Sequence, residues 1–113
     1  MNEINDLMAE VSRKLPMTKE YNQYKNLLER LKAQPDLYRR VGEFRRRSVA
    51  MQLDDAGNAI HANNALQNEF LDLQNNSLVN DFFVAEHQYC RMIGELQDRF
   101  LESALIETDF LEG

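Results

Sequence analysis

A single cysteine, Cys90, stands among 113 residues, so no disulfide can form within the chain and a small bridge-stapled secreted fold is excluded. Glycine occurs four times and proline twice, which does not fit a low-complexity or disordered polymer. No apolar run approaches the roughly 20 residues needed to span a bilayer. The first residues, Met1-Asn2-Glu3-Ile4-Asn5-Asp6, are polar and acidic, unlike a signal peptide. The cytoplasm is therefore the expected location, with no membrane association. Positive charge is also short: the net charge is −6, which argues against a general nucleic-acid binder held by phosphate electrostatics.

Chemical motifs are missing too. There is no glycine-rich phosphate loop, no G-x-S-x-G elbow and no supported Cys/His/Asn set. His87 and Cys90 lie three apart on a helical stretch, with Glu86 and His61 as further candidate ligands. Zinc would need four such groups converging, and His87 projects to a different side from the other two, so Cys90 reads as a small buried apolar residue. Asp54, Asp55 and Asn58 around Gly57 faintly resemble a calcium loop, but the alternating acidic ligands and the closing glutamate are missing. An ordinary turn is the expectation. Neither enzyme activity nor a cofactor or metal is expected.

What is present is helical. Hydrophobic residues make up 43% of the chain, enough for one modest core, and the length suits a single domain over residues 1–113. Ile4, Leu7, Met8, Val11 and Leu15 form the stripe of a first helix that ends before Pro16. Thr18 is a suitable N-cap for a second, with Tyr21, Tyr24, Leu28 and Leu31 on one face. Pro35 and Asp36 open a third helix with the stripe Leu37, Val41, Phe44, Ser48 and Met51. The segment Asp54-Asp55-Ala56-Gly57-Asn58 reads as a turn. A fourth helix carries Ala62, Leu66, Phe70 and Leu73, and Asn75-Asn76-Ser77 breaks the pattern or caps the next helix. The fold class is all-α: a multihelical bundle of about five helices with a long C-terminal helix, about Leu78 to Leu105. Residues 106–113 are expected as a frayed or docked tail, acidic from Glu107 onward with two apolar residues there, Phe110 and Leu111.

The last helix, at about 28 residues, would be ~42 Å long. A sphere enclosing a domain of this size is only about 34 Å across. Its outer stretch nevertheless continues the apolar stripe through Phe100, Leu101, Ala104 and Leu105, so these residues are the expected oligomer interface, in a dimer or larger homo-oligomer. Glu86 falls in the centre of the same stripe. A buried carboxylate there needs a partner, and Arg45 or a tyrosine hydroxyl could serve. The expected role is structural, as one carboxylate without an acid, base or nucleophile beside it defines no reaction.

Charge is divided unevenly. Residues 1–48 carry a balance of +4 and residues 49–113 a balance of −10, so the halves should neutralise each other within or between chains. Arg39, Arg40, Arg45, Arg46 and Arg47 have only Glu43 among them. Arg39, Arg40, Arg46 and Arg47 form a basic face off the apolar stripe, the candidate surface for a protein partner or for RNA phosphates, although solvent or a salt bridge is the commoner fate of such a face.

The order of elements carries a family likeness, and so do several motifs: Tyr21-x-x-Tyr24-Lys25-x-Leu27, Phe44-Arg45, the Gly57 turn, Val84-Ala85-Glu86-His87-Gln88 and Met92-Ile93-Gly94-Glu95-Leu96. Together they resemble the YlbF/YmcA-like (YheA-like) family of small helical bacterial proteins over nearly the whole chain. The resemblance implies a helical bundle that forms homo- or hetero-oligomers. Two branches of that family regulate competence, sporulation and biofilm formation and are linked to messenger RNA processing as partners of an endoribonuclease. Any RNA contact implied in this way is indirect. Those branches are also associated with an iron–sulfur cluster held by cysteines near the C-terminus. Here residues 106–113 contain no cysteine, so the cluster is not carried over.

Overall fold

The structure, a computed structural model, describes residues 2–53 and 59–104. The expected turn at residues 54–58 and the tail from Leu105 onward lie outside the described residues. Among those described, six α-helices and one 3-10 turn account for nearly everything, with no strand. They are α1 (Glu3–Lys14), the 3-10 turn Leu15–Met17, α2 (Lys19–Lys32), α3 (Pro35–Leu53), α4 (Ala59–Glu69), α5 (Leu71–Gln74) and α6 (Ser77–Ser103).

Local chemistry sets the helix boundaries. Each helix start leaves backbone N–H groups without an intrahelical acceptor, and short polar side chains supply one. Asn2 Oδ1 accepts from the Ile4 amide at 2.9 Å. Thr18 Oγ1 accepts from Tyr21 at 3.2 Å, and Asn76 Oδ1 accepts from Val79 at 3.1 Å. α1 stops at Lys14, ahead of Pro16, and Pro35 is the first residue of α3, where its missing N–H costs nothing. The fourth predicted helix is in fact two. Phe70 interrupts it with φ −110° and ψ 29°, and its ring is wholly buried.

The core is one cluster of Leu31, Val41, Leu66, Phe70, Leu73, Val79 and Phe82, drawn from α2 through α6. The largest helix pairing is α2 with α6, and aromatic rings stitch it. Tyr21 meets Tyr89 edge-on at 5.7 Å, while Tyr24 stacks on Tyr89 at 5.2 Å and on Phe82 at 5.9 Å. The two helices therefore run antiparallel. Phe44 on α3 meets Phe70 edge-on at 5.4 Å, a geometry that suits the ring quadrupoles.

The molecule is far from spherical. Its Cα radius of gyration is 19.4 Å with extents of 52 × 44 × 18 Å, against about 13 Å for a compact domain of this length. It is a slab about two helix diameters thick. α1 has no buried residue, and its main packing is against the 3-10 turn after it. In α6, burial ends early: Val79, Phe82 and Ala85 are its only buried residues.

Candidate functional site

Three surfaces concentrate what this fold offers to other molecules. The first is apolar. Ile4, Leu7, Met8 and Val11 line α1 while remaining exposed. At the far end of α6, Leu96, Phe100 and Leu101 are exposed as well, the last two at 53%. Of the residues expected at an oligomer interface, Phe100, Leu101 and Ala104 are uncovered on this chain, and Leu105 lies outside the described residues. Ala104 stands just past the helix end as its C-cap. Exposed apolar rows of this kind are candidate contact surfaces.

The second is a groove along the outer side of the α2–α6 pair. Leu27, Val84 and Ala85 are its apolar lining, Lys19, Asn22, Gln23, Asn26, Asp81 and Gln88 its polar lining, and its volume is about 590 Å³. Val84 is exposed here. Its lining thus mixes apolar with polar and charged side chains.

The third is the arginine face, which the structure divides. Arg40 Nη2 lies 2.6 Å from Asp72 Oδ1 and 3.2 Å from the Glu69 carbonyl oxygen, and its guanidinium stands 4.3 Å from the centre of the Phe70 ring. Arg47 Nη1 lies 2.5 Å from Glu69 Oε1, also over Phe70, at 5.4 Å. These two arginines are struts from α3 to the α4–α5 junction. Their hydrogen bonds pull the Asp72 and Glu69 carboxyls below their ordinary values, and hold Arg40 and Arg47 above theirs. Arg39 reaches only Asp36, at 3.7 Å and well out in solvent. Arg46 forms no ion pair among the described residues. Of the four predicted partner-binding arginines, two remain available and two are engaged within the chain.

Arg45, the fifth, is paired with Glu86 across α3 and α6. Glu86 is not buried as its place in the stripe suggests, for its side chain keeps 27% of its exposure. Cys90 departs from expectation in the same direction. It is exposed, because no described element covers α6 on that side. His87 is exposed too, and among the described residues no three His, Cys, Asp or Glu side chains gather as a metal site would require.

Sequence reasoning missed the struts. Arg40 and Asp72 are 32 residues apart, and ion pairs at that separation leave no periodic signal. It also missed Gly42, whose absent side chain lets Arg46 fold back. A Cβ at Gly42 would stand 3.2 Å from Arg46 Nη1.

Fold and surfaces together define a small all-α protein that presents uncovered helix faces and a divided basic patch. The chain belongs to the family described as control of competence regulator ComK, YlbF/YmcA, whose sequence profile matches residues 4–103. That match spans α1 to the end of α6, and it agrees with the likeness read from the motifs. The family is a regulatory one. No curated protein and no solved structure matches the chain, and no described helix is long and apolar enough to cross a membrane.

Proposed function

We propose that this protein is a non-enzymatic regulatory adaptor that works in the cytoplasm through protein–protein contacts, including contacts with further copies of itself. One observation carries the reading. The apolar row of α1 and that of the outer third of α6 are solvent-exposed on a slab too thin to cover them. Side chains of this kind are stabilised by removal from water, at roughly 25 cal/mol per Å² of apolar area, and a second chain is the simplest cover. Its regulatory family supports an adaptor role. By resemblance, the pathway is control of competence, sporulation and biofilm formation, joined to messenger RNA processing through an endoribonuclease.

Direct RNA binding through Arg39, Arg40, Arg46 and Arg47 draws less support. Arg40 and Arg47 are held by carboxylates, and the chain as a whole is acidic.

Light scattering after gel filtration tests the self-contact, with a dimer or larger species expected at micromolar concentration. Phe100→Glu with Leu101→Glu should shift the protein towards monomer with its helical circular dichroism retained, because both side chains are exposed within one chain. A wild-type monomer at all concentrations would remove the self-contact. Affinity capture from the native cell, read by mass spectrometry, tests the adaptor role. An α6 double variant that retains every captured protein would show that this surface is not where partners bind.

A further inference from the structure

Between the C-terminal end of α2, the middle of α3 and the first half of α6 lies a cavity of about 380 Å³, distinct from the apolar rows and the outer α2–α6 groove. Its floor is apolar, made by Leu28, Leu31, Val41 and Phe82. Around its mouth stand Lys32, Arg39 and Arg46, with Tyr38 beside them. The carboxylate in its wall, Glu86, is paired with Arg45. Its charge is thus engaged. Lys32 and Arg46 form no ion pair among the described residues, and the partner of Arg39 is an Asp36 that is 98% exposed, a contact that solvent largely screens.

Gly42 lines the same cavity. A glycine in mid-helix is less favourable than alanine, and its position has a spatial consequence. Without a Cβ, it leaves room for the Arg46 guanidinium to fold back over the helix at the cavity mouth.

We propose that this cavity is a docking pocket for an acidic peptide segment of a partner protein, with an aromatic or branched apolar side chain entering the floor and flanking carboxylates meeting Lys32, Arg39 and Arg46. Charge complementarity selects the occupant: Lys32, Arg39 and Arg46, three cations with no strong internal partner among the described residues, line a partly apolar cavity whose one carboxylate, Glu86, is already paired with Arg45. A nucleic acid fits less well. Tyr24 and Phe82 are already stacked on each other, which leaves the exposed Tyr38 as the one lining ring open to a base, where single-strand binding uses a succession of rings. Three cations on a chain of net charge −6 give little phosphate affinity, whereas an acidic peptide adds the burial of its apolar anchor. The inference deepens the adaptor reading and rests on it, by giving the chemistry of a partner and a place for it.

Fluorescence anisotropy tests this with a labelled synthetic nonapeptide of alternating Asp/Glu and Phe/Leu, titrated with the full chain at low salt. Binding is expected. It should weaken on the order of tenfold for Arg46→Glu and for Lys32→Glu, the loss of one favourable charge contact or more. A peptide with Asn/Gln in place of Asp/Glu should not bind, nor should one with Ser in place of Phe/Leu. Gly42→Ala separates binding from folding: the helix should be stabilised, and peptide affinity should fall by much less than for Arg46→Glu, because the new Cβ, 3.2 Å from Arg46 Nη1, shifts the guanidinium only slightly. The proposal is overturned if the acidic peptide does not bind up to about 1 mM, if the neutral peptide binds equally well, or if a single-stranded RNA oligonucleotide binds more tightly with the same sensitivity to Arg46→Glu. Self-association in light scattering and capture of native partners do not depend on this pocket. Failure here with those intact removes the pocket and leaves the adaptor reading standing.

Discussion

Arg45 on α3 pairs with Glu86 on α6 while its guanidinium stands 5.3 Å from the centre of the Phe82 ring and 5.2 Å from that of Phe83. One side chain thus ties two helices by charge and covers two rings of the aromatic core. The arrangement suits arginine in particular, since its planar head is weakly hydrated on its faces and donates from its edge.

The pair should be measurable but modest, because both side chains keep part of their exposure. Glu86→Ala is expected to destabilise by about 1–2 kcal/mol, above an exposed ion pair and below a buried one. Glu86→Gln should cost less, as the amide oxygen still accepts from Arg45. Urea denaturation of both variants checks this, and an effect of Glu86→Ala within about 0.5 kcal/mol, typical of surface sites, would mean the pair is idle.

Acid should loosen the joint between α3 and the α4–α5 corner. Hydrogen bonds from Arg47 and Arg40 lower the Glu69 and Asp72 carboxyls below their ordinary values of 4.5 and 3.8. A carboxyl lowered by folding adds stability that is fully present above its ordinary value and is lost as pH falls through the lowered one. Melting temperature should therefore hold from neutral pH down to the ordinary carboxylate range and decline below it. In Asp72→Asn and Glu69→Gln that decline should be shallower than in the wild type. Thermal melts from neutral pH into strong acid decide, and identical acid limbs in wild type and variants would show that the struts contribute nothing to acid stability.

Phe70 carries the heaviest structural burden. Its ring is wholly buried, edge-on to Phe44 and beneath the heads of Arg40 and Arg47. Phe70→Ala should cost about 3–5 kcal/mol through lost burial and the cavity left behind, a large share of a small domain's stability. Phe70→Leu should keep the fold at a lower melting temperature. Calorimetry or circular dichroism melts supply the values, and a loss below about 1 kcal/mol for Phe70→Ala, ordinary for point substitutions at large, would show that the corner is not cooperative with the rest.

Cys90 is the sole thiol and is exposed. In the native protein it should react with a chromogenic disulfide reagent in full, one thiol per chain, without denaturant. A thiol that reacts only after unfolding would show that another chain or segment covers that side of α6.

The helices were legible in the residues themselves. Thr18 and Asn76 as caps, Pro16 and Pro35 as punctuation, and the spacing of Leu31, Val41, Leu66 and Val79 are local signals, because helix geometry and backbone hydrogen bonding operate over three or four residues. The same stripes named most of the core, since an apolar face must be buried somewhere. The family likeness rode on these packing residues and was visible for the same reason.

Where each face finds cover is a different matter, and sequence period is silent on it. Ile4, Leu7 and Val11 have the same spacing as the core stripes, yet α1 buries nothing, and the stripe of α6 is covered to Ala85 and bare at Phe100 and Leu101. Cys90 sits within the pattern and is exposed because no described helix arrives there. The five arginines look alike in sequence, but Arg40, Arg45 and Arg47 find carboxylates on distant helices while Arg46 folds over Gly42. The break at Phe70, which splits one expected helix into α4 and α5, left no periodic signal either, and it coincides with a wholly buried ring. The residues alone determined the amphipathic helices and most of their ends, because those depend on neighbours along the chain. Only the tertiary structure decided which faces are core, which charges are spent and which surfaces remain for a partner, because those depend on which helices meet.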